Sequence, residues 1–241
     1  NMGVFETMND HEELIFHQDS ATGLRAIVAI HSSILGPGLG GTRWREYASE
    51  EEALEDVLRL SKAMTYKSAA AGLPMGGGKG VIVADPHHDK TEAMFRSYGR
   101  FVESFSGRYI TTEDVGASAR EMEWISYETK HVVGLPESMG GGGNPSFVTG
   151  YGIFQAMRAC VVSMWGSDTL GGKTVAIQGF GNVATTLTNY LLKAGAKVIV
   201  TDIFEGARVR AIETNGVEVG EPDAIYDGKA DIFAPCALGP R

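Results

Sequence analysis

Cysteine is almost absent from this chain: Cys160 and Cys236 are the whole supply. They permit at most one intrachain disulfide, which excludes a stapled secreted scaffold and leads us to expect a reducing, cytoplasmic setting. Neither lies in a CxxC or His-linked pattern, so both read as structural. His87-His88 sits among Asp and Pro residues and reads as a solvated loop, so no metal site is expected. Long apolar runs are also missing, with none approaching the roughly 20 residues of a spanning helix. The first ten residues carry acidic groups and no apolar core, which does not fit a signal peptide. Basic residues are outnumbered, 21 Lys and Arg against 30 Asp and Glu, for a net charge of −9. Such a surface is a poor partner for nucleic acid or an anionic membrane, although one or two placed cations still suffice for an anionic small molecule.

Glycine, by contrast, is abundant. Its 32 occurrences in 241 residues cluster at 36–41, 76–80, 140–143 and 179–181. Clustered glycine marks backbone that turns tightly or approaches something closely.

Between these clusters the pattern alternates strand and helix. Residues 12–18 and 25–31 read as a hairpin around the turn-rich segment 19–23, and 36–43 reads as a Gly/Pro connection. Ser49 and Glu52 form a capping-box signature. The helix behind them carries Leu54, Val57, Leu58, Ser61 and Met64 on one stripe, and Lys67, three residues past Met64, is expected to project inward. Residues 72–80 read as a glycine-rich bend, followed by a short apolar strand at 81–84. Asp89 and Glu92 open a helix whose apolar side is Met94, Phe95, Tyr98, Phe101, Val102 and Phe105. A strand at 109–111 delivers Glu113-Asp114, and Ser118 with Glu121 caps a helix to about residue 129. After the loop 134–146, a long helix runs to Trp165. Trp44, Trp124 and Trp165 read as core or interface residues.

Residues 173–178 form a strand, Gly179-Phe180-Gly181-Asn182-Val183-Ala184 matches GxGxxA, and a helix, a second strand and Asp202 follow. The acid lies 23 residues after the first glycine, close to the ~20 expected of a dinucleotide-binding unit. Gly179 permits the turn, Gly181 lets a pyrophosphate near the backbone, and Ala184 keeps helix and strand close. The helix N-terminus supplies amide donors to the phosphates. Asp202 is placed to accept from both ribose hydroxyls and to repel a 2′-phosphate, so NAD fits better than NADP. The alternative is an α/β domain whose crevice holds nothing.

Lys67 and Lys79 flank the second glycine-rich segment. A P-loop fails there on three counts. Leu73 stands where its first glycine belongs, Gly80 stands where Ser or Thr would hold magnesium, and a strand follows instead of a helix. A lysine after three glycines meets little steric hindrance near a ligand. Asp114, just past a strand end, points where open α/β sheets bind ligands.

The runs 36–43 (GPGLGGTR), 64–82 (MTYKSAAAGLPMGGGKGVI), 108–116 (RYITTEDVG), 143–152 (GNPSFVTGYG), 178–184 (QGFGNVA) and 231–239 (DIFAPCALG) resemble the amino-acid dehydrogenase family that includes the leucine, valine, phenylalanine and glutamate enzymes. The resemblance is nearest to its leucine-using branch and spans residues 5–239. It implies an α/β substrate and oligomerisation domain at 1–145. A doubly wound, Rossmann dinucleotide domain would follow at 146–241, incomplete here because the family continues with further strands. It also implies reversible NAD-linked deamination of an L-amino acid to a 2-oxo acid and ammonia by a homo-oligomer.

On this resemblance Lys67 holds the substrate carboxylate, Lys79 is the catalytic lysine and Asp114 the proton-shuttling aspartate. Leu39 selects the side chain, with Gly40 leaving room beside it and Thr112 lining the pocket where leucine enzymes commonly have alanine. Leu39, between Gly38 and Gly40, is expected to sit on mobile backbone. Pro74-Met75 is more like the phenylalanine enzymes. Thr149 lies near the nicotinamide amide, and Cys236 and Ala237 fall on the cofactor side with Gly179, Gly181, Asn182, Val183 and Asp202. Two functional classes fit: an aliphatic amino-acid dehydrogenase, or a non-catalytic homologue acting through its oligomerisation surface.

Overall fold

The computed structural model describes residues 3–84, 90–226 and 228–237. The chain divides into two compact units, Asn1–Asn144 and Pro145–Arg241. His87-His88 and Asp89 lie outside the described residues.

The first unit opens with a short helix α1 (Val4–Met8) and is built on a five-stranded sheet: β1 (Glu13–Asp19), β2 (Leu24–Ser32), β3 (Gly38–Arg45), β4 (Gly76–Val83) and β5 (Tyr109–Glu113). Their order across the sheet is β1-β2-β4-β3-β5. The hairpin β1–β2 and the pair β2–β4 are antiparallel, while β3 runs parallel to both β4 and β5. Helix α2 (Glu50–Ala70) covers one face through Ala53 and Val57, which pack on Ile27, Ala29 and Val81. Helices α3 (Glu92–Ser104) and α4 (Ala119–Ser126) cover the other, where Phe95, Tyr98, Phe101 and Phe105 meet Tyr109, Met122 and Ile125.

Several local expectations change. The Gly/Pro connection at 36–43 contains most of β3, the strand between β4 and β5. The glycine-rich bend is largely β4 itself, so Lys79 stands inside a strand rather than after a turn. Glycine weakens a strand unless another backbone comes unusually close, and here it does. A Cβ on Gly40 would lie 1.7 Å from the Gly78 carbonyl oxygen, and one on Gly77 would lie 2.1 Å from Thr65 Oγ1 of α2. Leu39 is therefore held between two strands, paired with Gly77 and Ile110, and its backbone is not mobile. The α3 cap is Thr91, whose hydroxyl accepts from Met94 N at 3.2 Å. Only half of the α2 box forms: Ser49 accepts from Glu52 N, but the Glu52 carboxylate takes Ala48 N. The α4 helix stops at Ser126, before the expected 129.

In the second unit β6 (Thr174–Gln178), β7 (Lys197–Thr201), β8 (Val217–Val219) and β9 (Ile232–Pro235) form an all-parallel sheet in the order β8-β7-β6-β9. Strand order thus reverses at β6, as in a doubly wound domain. Helix α5 (Ser146–Trp165) ends on Gly166 in the left-handed region, φ 72°. Helices α6 (Asn182–Lys193) and α7 (Glu205–Glu213) complete the unit, with Leu187 and Leu191 packed on Val175, Ile177, Val198 and Val200. Cys160 is exposed on α5. Trp165 is partly exposed, its ring under Lys173 Nζ at 3.8 Å. Among the described residues no helix is long and apolar enough to cross a membrane, and no cluster of His, Cys, Asp and Glu could hold a metal.

Candidate active site

Side chains alternate across a strand. On this sheet Leu39, Gly41 and Arg43 of β3, Lys79 and Val81 of β4 and Thr112 of β5 share the face under α2. Asp114, two residues past Thr112, arrives on the same side. Lys79 is buried, and its Nζ donates to Asp114 Oδ2. Arg43 Nε donates to the same oxygen at 3.2 Å, while its NH1 reaches Asp56 Oδ2 on α2 at 2.7 Å. Tyr47 OH and Arg59 NH2 complete the Asp56 environment at 2.9 and 2.7 Å.

Burial drives the Lys79 ammonium below the ordinary lysine range, and the neighbouring Arg43 charge pushes the same way. The attraction of Asp114 opposes both without cancelling them. Burial alone would raise the Asp114 carboxyl. The facing Lys79 ammonium, its hydrogen bond and Arg43 outweigh it, so the group ionises below the usual carboxylate range. Burial and the Asp56 carboxylate push the Tyr47 hydroxyl up, so it stays a neutral donor. Arg43 and Lys79 are the buried cations facing Asp56 and Asp114, while Arg59 meets Asp56 from the exposed side of α2.

The other positions named for the substrate side divide. Leu39 and Thr112 are half-buried on the Lys79 face. Gly40 is on the opposite face, where Tyr109 OH donates to its carbonyl at 2.8 Å. The room beside Leu39 belongs instead to Gly41, on which a Cβ would lie 2.8 Å from the Asp114 Cβ. Lys67 is exposed and does not project inward. The buried line of α2 runs through Ala53, Val57, Ser61 and Ser68. With 3.6 residues per turn, Lys67 stands about 100° away from Ser68.

Arg43, Asp56 and Gly41 were missed by sequence reasoning. Asp56 had a usable signal: a carboxylate three residues after Ala53, beside Val57, on the inward line of an amphipathic helix needs a cation.

In the second unit a pocket of about 700 Å³ opens at the strand-order reversal. Gly179, Gly181, Asp202, Cys236 and Ala237 line it, together with Arg210 and Tyr226. Gly179 has φ 89°, and a Cβ there would press on the Ala237 backbone at 2.9 Å. Gly181 differs. Its φ is ordinary, and among the described residues, its chain neighbours aside, no atom lies within 4 Å of a Cβ placed on it. Those residues leave that space open, in front of an α6 N-terminus that has no side-chain cap. Uncapped first-turn amides beside open space suit a phosphate. Asp202 braces the turn: Oδ2 accepts from Phe180 N at 2.7 Å and Oδ1 from Phe204 N at 2.8 Å. A carboxylate has about four lone-pair sites, so both oxygens keep acceptor capacity for a diol. Burial pushes the Cys236 thiol up, so it stays protonated. Asn182 and Val183 begin α6 and are not among the pocket-lining residues; Thr149 is exposed in the first turn of α5.

Residues 11–131 match the family model for the Glu/Leu/Phe/Val dehydrogenase dimerisation domain, and residues 140–221 match that for glutamate/leucine/phenylalanine/valine dehydrogenase. The chain belongs to the Glu/Leu/Phe/Val dehydrogenase family. Within it, the leucine dehydrogenase of Geobacillus stearothermophilus is 53% identical over 240 residues, 99% of this chain and 65% of that relative. The phenylalanine dehydrogenase of Lysinibacillus sphaericus is 46% identical over 99% of this chain and 64% of its own length. The crystal structure of L-tryptophan dehydrogenase from Nostoc punctiforme superposes with a TM-score of 0.70 at 42% identity, covering 98% of this chain and 66% of that one. The chain thus spans about two thirds of the length of these Glu/Leu/Phe/Val dehydrogenase relatives.

Proposed function

We propose that the protein is an NAD-dependent dehydrogenase that reversibly deaminates an aliphatic branched-chain L-amino acid, leucine, valine or isoleucine, to its 2-oxo acid and ammonia. The observation that carries this reading is the buried Lys79–Asp114 pair, in which burial makes a lysine available as a neutral base. The identity to leucine dehydrogenases over nearly the whole chain supports the substrate class.

Gly179, Gly181 and Asp202 would hold NAD, with the α6 amides on its phosphates. When bound, NAD supplies the hydride acceptor. Neutral Lys79 takes a proton from the attacking water as it adds to the imino carbon. Asp114 moves protons to and from the nitrogen as amine, imine and carbinolamine interconvert. Lys67 anchors the substrate carboxylate with its exposed ammonium in the last turn of α2. Leu39 and Thr112 form the wall for the substrate side chain. An aliphatic group is at home there, whereas glutamate would bury an unpaired carboxylate. The match to a dimerisation domain supports a homo-oligomer.

The phenylalanine reading is the second choice, favoured by Pro74-Met75 and by the 46% identity. Steady-state kinetics on the full-length protein with leucine, phenylalanine and glutamate decide between them. Leucine should exceed glutamate by at least about a hundredfold in kcat/KM, and NAD should outperform NADP. Lys79→Ala and Asp114→Asn should each lower kcat by about 10²–10⁴-fold. A glutamate preference would remove Leu39 from its role. Losses below tenfold in both variants would remove the pair from the mechanism.

A further inference from the structure

Both cations that meet Asp114 land on one oxygen. Lys79 Nζ and Arg43 Nε each donate to Oδ2, and among the described residues no side chain donates to Oδ1. A group that passes protons must present one oxygen in a fixed direction, since small misplacements at a reacting atom cost large factors in rate. Lys79 cannot supply that fixity alone, because its hydrogen bond to Asp114 changes as it gains and loses its own proton. Arg43 can. Guanidinium keeps its charge at every relevant pH and presents its donors in a rigid planar fork.

The fork is itself anchored. Arg43 is buried, its NH1 is on Asp56, and Asp56 is fixed by Tyr47 OH and by Arg59. The anchor therefore joins β3, the segment after it and α2 to the carboxylate at the end of β5. The charged and titratable groups facing Arg43 are Asp114 from β5, Lys79 from β4, Asp56 from α2 and Tyr47 from the β3–α2 connection.

We propose that Arg43, braced by Asp56, is a positioning residue that pins Asp114 through Oδ2 and leaves Oδ1 as the oxygen that exchanges protons with the substrate nitrogen. This rests on the reading of Lys79 and Asp114 as the catalytic pair. A purely structural ion pair would set stability alone. A positioning device also sets kcat and the pH at which the rate rises, because Arg43 lowers the proton affinity of both Lys79 and Asp114 while Asp56 raises that of Lys79.

The test compares Arg43→Lys, Arg43→Gln, Asp56→Asn and Asp114→Asn in the full-length protein. Melting temperature, NAD affinity, KM for leucine and the pH profile of kcat/KM are measured for each. Arg43→Lys keeps the charge but replaces the separate, planar Nε and Nη1 donors on Asp114 and Asp56 by one rotatable ammonium, so kcat should fall at least tenfold with little change in KM and little movement of the acid limb. Arg43→Gln should lower kcat as far and also move that limb to higher pH. Asp56→Asn should lower kcat and move the limb to lower pH. A folded Arg43→Lys protein with wild-type kcat overturns the proposal. If the Arg43 variants melt below the assay temperature, a folded Asp56→Asn protein with wild-type kcat and limb overturns it equally. An active Asp114→Asn protein overturns both the proposal and the catalytic reading beneath it. An inactive Asp114→Asn beside a fully active Arg43→Lys overturns the proposal alone.

Discussion

Replacing Gly41 by alanine should impair catalysis more than a single methyl would suggest. The added Cβ would lie 2.4 Å from the Glu113 carbonyl oxygen, 2.8 Å from the Asp114 Cβ and 3.1 Å from the Glu113 carbonyl carbon. Two of the three contacts are main chain, so no flexible side chain can simply rotate away. Ordinary van der Waals contact requires the end of β5 to retreat by about 1 Å. That end carries Asp114, and a displacement of about 1 Å at a reacting group costs on the order of 10²-fold. The strain of an extra methyl in a packed site adds about 1–3 kcal/mol of destabilisation. Gly41→Ala should therefore lower kcat/KM for leucine about a hundredfold and melt several degrees early. NAD affinity should not change, because the glycine turn belongs to the other unit. Steady-state kinetics, calorimetric melting and NAD titration on the full-length protein provide the three readings. A variant within threefold of wild-type activity at an unchanged melting temperature would refute the argument. It would mean either that β5 yields without moving Asp114, or that Asp114 does not react.

Four further outcomes are expected. Because burial makes the Lys79 proton easier to lose, the rate should rise with pH through a limb below the ordinary lysine value of 10.5; a limb at or above that value in the kcat/KM profile would count against a neutral-amine base. The same shift means the native protein sheds this proton before the unfolded chain does, so Lys79 should favour folding increasingly as pH climbs toward 10.5, measurable as denaturant midpoint against pH. Asp202→Ser should weaken NAD binding by more than a lost ribose contact, since it also releases Phe180 N and Phe204 N; its NAD-to-NADP affinity ratio should fall on titration. Thr91→Ala removes the α3 cap and should cost about 1 kcal/mol in chemical denaturation without altering kcat.

The dinucleotide unit was legible because its signal is local. The glycines, the following helix and Asp202 fall within 24 consecutive residues, and each has a stated geometric job. The substrate unit was only partly legible. Helix α2 announced itself through apolar periodicity and its Ser49 cap, and α3 through periodicity. Strand β3 did not, because three of its eight residues, Gly38, Gly40 and Gly41, are glycine, which is depleted in strands. Its identity as a strand comes from backbone packed on both sides, which is a tertiary fact. Missing β3 hid Arg43, and with it the link from Asp114 to Asp56. Lys67 failed for a different reason. Spacing from Met64 extended the stripe to it, but past Ser61 the buried line continues to Ser68, and these small residues let α2 sit close to the glycines of β4.

The strand order also has a kinetic consequence. Strands β1 and β2 are joined by a short turn and close with little loop entropy. Strand β5 has to wait, because its pairing with β3, Gly38 opposite Tyr109, spans a longer stretch of chain than β3 with β4 or β2 with β4. Contacts between distant segments form slowly, since the connecting chain must be ordered before any pairing rewards it. The first unit should thus collapse around its hairpin while β5 is still unpaired, with Asp114 apart from Arg43 and Lys79. Docking β5 on β3 is the step that brings all three together. The most charged part of the sheet is then the last to be shielded from water, and conditions that slow this closure, such as dilute acid, should hold the chain in a collapsed form that has helices but no assembled site.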